Sequence, residues 1–187
     1  MNILLIAIAA LVVIVLIWAV LAYNGLIRLR NEVQQGEASI DVQLKRRADL
    51  IPNLVETVKG YATHETTAFD RVTQARAAAL GARTIDEKAA ADGEMQAAVG
   101  GLFAIAEAYP QLRAVESFTQ LQAELTDTED KIAAARRYYN ATVQRYNTQQ
   151  QTVPTSLFAG AAGHRPAEFY RLEDDADRQP VKVDLSA

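Results

Sequence analysis

The sequence predicts an all-α protein: an N-terminal transmembrane helix, an antiparallel bundle of four helices, two long and two short, and a largely irregular C-terminal tail. Three observations lead there. The 187 residues include nine glycines and five prolines against abundant Ala, Glu, Gln, Arg and Leu, a composition that favours helix over sheet. Ile3 to Ala22, "ILLIAIAALVVIVLIWAVLA", contains no charged or strongly polar side chain. Beyond it, apolar residues recur at helical spacing with few turn signals between them. The expected divisions are 3–22 as the span, 23–151 as the bundle and 152–187 as a tail, apolar then acidic and flexible.

Twenty helical residues at 1.5 Å each cover roughly 30 Å, the thickness of a bilayer's hydrocarbon core. Trp18 and Tyr23 stand toward the far end of the stretch and Arg28 and Arg30 follow, the order expected at a membrane interface. Although "VLA" at 20–22 imitates a signal cleavage site, the stretch is longer than a signal core and no Lys or Arg precedes it, so a retained single-pass anchor is expected. The two arginines place the body in the cytoplasm and the short N-terminus outside.

In the first soluble helix, Leu26, Val33, Ile40, Arg47, Leu54 and Tyr61 fall on one heptad position, and Arg30, Glu37, Leu44, Ile51 and Val58 on its companion. The seam is coiled-coil-like, with Arg30, Glu37 and Arg47 as polar exceptions that can fix register. Gly25 weakens the joint with the span by up to about 1 kcal/mol. Pro52 removes an amide donor and drives its ring toward the Ala48 carbonyl, which predicts a kink between Ala48 and Ile51. It costs roughly 3 kcal/mol unless neighbours compensate, and a side chain such as Arg46 is placed to reach past it.

Thr63 is the expected N-cap of a second helix carrying Phe69, Val72, Ala75 and Ala79 and ending near Gly81. "TIDE", Thr84 to Glu87, has capping-box spacing and opens a third helix, which passes Met95, Val99, Leu102, Phe103 and Ile105 to Glu107. Pro110 in "YPQ" suits a first helical position. The fourth helix is expected from Gln111 to Gln151, with Phe118, Leu125, Ile132, Tyr139 and Tyr146 on its seam and Leu121, Thr128, Ala135 and Thr142 beside it. "TDTE" at 126–129 also has capping-box spacing, but inside a periodic run it reads as chance.

The outer helices are each on the order of 55 to 60 Å long and the middle two about half that. Short connections make neighbours antiparallel, so four helices would pack far from the membrane and only a pair near it. Such a pair cannot bury Leu26, Val33, Tyr139, Val143 and Tyr146 alone, and self-association or membrane lipid is expected to cover them. Leu157 and Phe158, in the apolar part of the tail, are placed to dip into the bilayer.

Charge patterning excludes a polyanion binder. Residues 23–151 carry fifteen Lys/Arg against seventeen Asp/Glu, and the tail four against six, so no nucleic-acid partner is expected. The absence of cysteine removes disulfides and thiolate chemistry. His64-Glu65 starts an "HExxH" pattern, but Ala68 stands where its second histidine must be. The Asn140-Ala-Thr142 sequon reads as accidental. No cofactor, metal or enzymatic activity is expected. A polar cluster of Arg46, Arg47, Asp49 and Asn53 around Pro52, set against Glu124, Glu129 and Arg136 on the fourth helix, reads either as ordinary interhelical ion pairs or as a contact site for an unidentified partner protein.

"IDVQLKRRADLIPNLVETVKGYATHE" (40–65), "AEAYPQLRA" (106–114), "FTQLQAELTDTEDKIAAARRYYNATVQRYN" (118–147) and "VPTSLFA" (153–159) together resemble the LemA family of bacterial membrane proteins. Tyr23-Asn24 at the end of the span belongs to the same pattern, and the resemblance runs to about residue 160, short of the acidic tail. It implies a single span in the bacterial inner membrane followed by a helical bundle, with no established activity, cofactor or catalytic residue. Some members are associated with building bacterial membrane organelles. The expected function is a membrane-anchored scaffold or adaptor that forms a homo-oligomer and recruits partners. The alternative is a sensor that signals through the first helix with Pro52 as hinge.

Overall fold

Residues 2–62, 64–153, 155–160 and 162–172 are described by the structure, a computed structural model, with side chains for all of these except Asn2 and Phe158. The regular elements among them are all helices: α1 (Asn2–Lys59), α2 (Thr66–Gly81), α3 (Ile85–Ala108), α4 (Pro110–Arg113), α5 (Glu116–Gln151) and α6 (Ser156–Ala159). The large apolar side chains of α1 from Ile3 to Leu21 are exposed. Among the described residues, α1 is the helix long and apolar enough to cross a membrane. It runs through Gly25 without interruption.

The chain forms two compact units, residues 1–40 with 133–169 and residues 41–132 with 170–187. In the first, Leu26, Val33 and Ile40 of α1 are buried, as are Tyr139, Val143 and Tyr146 of α5. Gly36 explains how closely the two helices approach: a Cβ there would stand 3.2 Å from the Tyr139 Cα. Glu32 and Arg145 add an ion pair at 3.1 Å, worth about 0 to 1 kcal/mol at such exposure.

Beyond α5 the described chain is irregular apart from the four-residue α6. After α6 the Gly163 amide donates to the Gly160 carbonyl and the His164 amide to the Ala159 carbonyl, at 3.1 and 3.0 Å. With Gly163 at φ +78°, this is the Schellman ending, in which a left-handed glycine stops the turn. Residues 164–169 then form a strap without regular structure, tied to α5. The acidic stretch from 173 onward lies outside the described residues.

The second unit is built around one core: Ile51, Leu54 and Val58 of α1, Phe69, Val72 and Ala75 of α2, Met95, Val99 and Leu102 of α3, Leu112 of α4, and Phe118 and Leu125 of α5. The seam of α1 ends before Tyr61, which is exposed because the helix stops at Lys59. The Thr63 cap lies outside the described residues. Glu65 precedes α2 and makes no side-chain cap. The capping box at Thr84 is complete, with Thr84 accepting the Glu87 amide at 3.2 Å and Glu87 accepting the Thr84 amide at 3.1 Å. These bonds to the Arg83 and Thr84 amides hold the Glu87 carboxyl below its ordinary pKa.

The single helix expected from Gln111 to Gln151 is instead two. α4 closes with the Ala114 and Val115 amides on the Gln111 and Leu112 carbonyls, three residues back, and α5 begins afresh at Glu116. Leu112 and Phe118 are both buried, yet six residues of unbroken helix would set them about 120° apart around the axis. The break lets both reach the core. The "TDTE" threonines make no cap: Thr126 and Thr128 donate to the Gln122 and Glu124 carbonyls one turn back.

Candidate functional site

Arg47, a polar exception on the α1 seam, sits in the second unit with 2% of its surface exposed. Its Nη1 donates to Glu129 Oε2 at 2.8 Å and its Nη2 to Asp92 Oδ1. The other Asp92 oxygen accepts the Tyr170 hydroxyl at 2.9 Å, a proton shared with the Lys88 carbonyl at 3.1 Å. Lys88, also buried, reaches Asp41 at 2.7 Å. Removing two charges from water costs several kcal/mol per ion, and their attraction offsets this only when the geometry is good and the remaining atoms are satisfied. Here both Asp92 oxygens are satisfied, and Arg47 Nε has no partner. Beside the cluster is a cavity of about 280 Å³ lined by Arg47, Val99, Phe103, Leu125 and Glu129 among others.

The seven residues expected to meet a partner therefore have different roles. Arg47 is 2% exposed and, with the one-third-exposed Glu129, belongs to the interhelical ion-pair network. Arg46 pairs instead with Asp127 at 3.6 Å, and Asp49 with Lys45 at 3.1 Å, both exposed. Asn53 and Glu124 are brought together, with Leu50, Thr57, Gln120 and Leu121, in a surface groove of about 290 Å³. Arg136 belongs to the first unit and is half-buried. His64 is exposed, and no cluster among the described residues could hold a metal ion.

Pro52 lies inside a continuous α1. The carbonyl deprived of its helical donor, that of Ala48, accepts Arg76 Nε from α2 at 2.8 Å. The residue reaching the proline is thus Arg76 rather than Arg46, because α2 packs against this part of α1 and can supply a donor from outside the helix.

Leu26, Val33, Tyr139, Val143 and Tyr146, expected to be covered by self-association or lipid, are all buried within the single chain. The strap is bound along α5. Gln150 donates to the Arg165 carbonyl at 3.2 Å. Asn147 grips Ala167 twice, donating to its carbonyl at 2.9 Å and accepting its amide at 2.8 Å. Tyr139 donates to the Glu168 carbonyl at 2.8 Å. The Tyr146 hydroxyl and His164 Nδ1 are 3.0 Å apart, and the His164 ring packs edge-on against Tyr23, with centroids 5.9 Å apart. Burial pushes the Tyr146 phenol above its ordinary pKa, against a smaller opposing pull from Arg30. Leu157 remains 79% exposed. The Phe158 side chain lies outside the described residues.

Sequence reading missed Asp92, Arg76, Asn147, Gln150, His164 and Tyr170. Asp92 alone carried a usable signal. It lies three residues before Met95 and seven before Val99 on the buried face of α3, a polar exception that complements the one at Arg47.

An exposed apolar helix continuing into packed helices places the molecule among membrane-associated all-helical proteins. The model of the LemA family matches residues 36–185, and the chain belongs to that family. The match extends through the acidic tail, beyond the limit near residue 160 read from the motifs. Similar proteins include the magnetosome protein MamQ 2 of Paramagnetospirillum magneticum, 26% identical over 87% of this chain and 70% of that protein. The magnetosome protein MamQ of Magnetospirillum gryphiswaldense is 24% identical, over 83% and 66%. The protein LemA of Metamycoplasma hominis is 28% identical, over 73% and 63%.

Proposed function

We propose that the chain is a single-span membrane scaffold or adaptor that self-associates and recruits partners, and that no catalytic step is assigned to it. The observation that carries this reading is the continuity of α1, whose exposed apolar residues run into a helix that forms part of both cores. Family membership supports a membrane location, and relatives named as magnetosome proteins support work at a bacterial membrane compartment. Arg28 and Arg30 favour a cytoplasmic body. In the second unit, the later part of α1 with α2, α3 and α5 is read as an antiparallel four-helix bundle, since all four feed one core and their connections are short. Leu157, with Val153 at 74% exposure, is the proposed lipid contact. The groove at Asn53 and Glu124 is the proposed partner contact.

One observation favours a second reading, a sensor hinged at Pro52: the Arg76 bond to Ala48 makes a defined joint there.

The test is co-expression of two differently tagged full-length copies. Both should stay with membranes through an alkaline carbonate wash and co-purify after mild solubilisation. Release by the wash would overturn the membrane anchor. Failure to co-purify at any expression level would overturn self-association.

A further inference from the structure

The bonds that hold the strap go mostly to its main chain: the Arg165, Ala167 and Glu168 carbonyls and the Ala167 amide. A side-chain amide that satisfies both groups of one residue recognises an extended backbone, and it does so equally well whichever chain that backbone belongs to. The side-chain match of His164 with Tyr146 is likewise carried by every copy. We infer that α5 is a receptor groove for an extended segment, that the strap is its ligand, and that the partner is the strap of a second copy of this chain.

Exchange replaces each strap bond with its equivalent, which is the usual route from a closed monomer to a swapped dimer. It costs the hinge, the association and the carrying of the adjacent Tyr170 from its own Asp92 and Lys88 to those of the second copy. The joint between α5 and the strap offers such a hinge. Thr152 and Val153 are exposed, as are Ala162 and Gly163 after α6, and with no cysteine in the chain no disulfide can lock the strap in place. The inference rests on the self-association reading, and the anchor it assumes would hold groove and strap of neighbouring copies at one depth, raising their effective concentration.

Thiol cross-linking in membranes tests it, since any introduced cysteine is unique. One full-length copy carries Gln150→Cys, and a differently tagged copy carries Arg165→Cys. A third chain carrying both substitutions, treated with the same short bismaleimide, checks that the site closes within one chain. A second pairing replaces Gln150→Cys by Gln144→Cys on the exposed side of α5. Exchange predicts a covalent heterodimer several-fold more abundant with Gln150→Cys than with Gln144→Cys. Equal yields would mean mere proximity and overturn the inference. So would cross-linking confined to the double variant. If the tagged copies still co-purify in either case, self-association stands on another surface and only strap exchange falls.

Discussion

Asp92 holds the buried end of the Arg47 guanidinium, while Glu129 holds the other end from a position still one-third exposed. Asp92→Ala therefore leaves Nη2 without its carboxylate at the buried end and Glu129 as the remaining counter-charge, whereas loss of Glu129 leaves Asp92 in place. Breaking a buried pair from one side costs about 3–5 kcal/mol, while replacing both partners with apolar residues is often close to neutral. Urea unfolding in detergent should show Asp92→Ala destabilised by that amount, with most of it recovered by adding Arg47→Met to Asp92→Leu. If Asp92→Ala leaves stability unchanged, the cluster is not part of the framework, and a binding role for Arg47 returns. Tyr170 ties the chain beyond the strap to the same aspartate, so one residue serves two segments far apart in sequence.

Within α1, the proline and its external donor act as one device. Pro52 orphans the Ala48 carbonyl and Arg76 satisfies it, so the two residues should be energetically coupled. Arg76→Ala should cost about 1–3 kcal/mol, the penalty for a buried acceptor left without its charged donor. The cost should shrink when Pro52→Ala restores the amide inside the helix, and a double-mutant cycle reads this coupling directly. Additive effects would mean that Arg76 does not compensate for the proline.

The elements differ in how legible they were. The Thr84 box and Pro110 could be read because their partners lie within four residues. The break at Ala114 and Val115 left no Gly or Pro to mark it, since it arises from the need to bury Leu112 and Phe118 together. The strap has no period at all. Its order comes from amide side chains on α5 that look like ordinary solvated polar residues until the segment they bind is in place. In the same way, Arg47 was visible as an exception, but its partner is 45 residues away on α3, beyond the reach of any local pattern.

At the scale of the whole molecule, the covered seam moves self-association away from an open apolar face. Among the described residues, the large apolar side chains still exposed include those of the span and Val42, Leu80, Tyr138, Val153 and Leu157, and the strap is held by bonds indifferent to the chain that supplies them. A scaffold of this kind would be anchored by α1, closed by its own C-terminal segment, and joined to its neighbours when that segment is traded. Subunit counting by stepwise photobleaching of the fluorescently tagged full-length chain in native membranes tests this most directly. The account predicts spots that bleach in two or more steps even at the lowest expression. Spots that bleach in a single step at every expression level would contradict it.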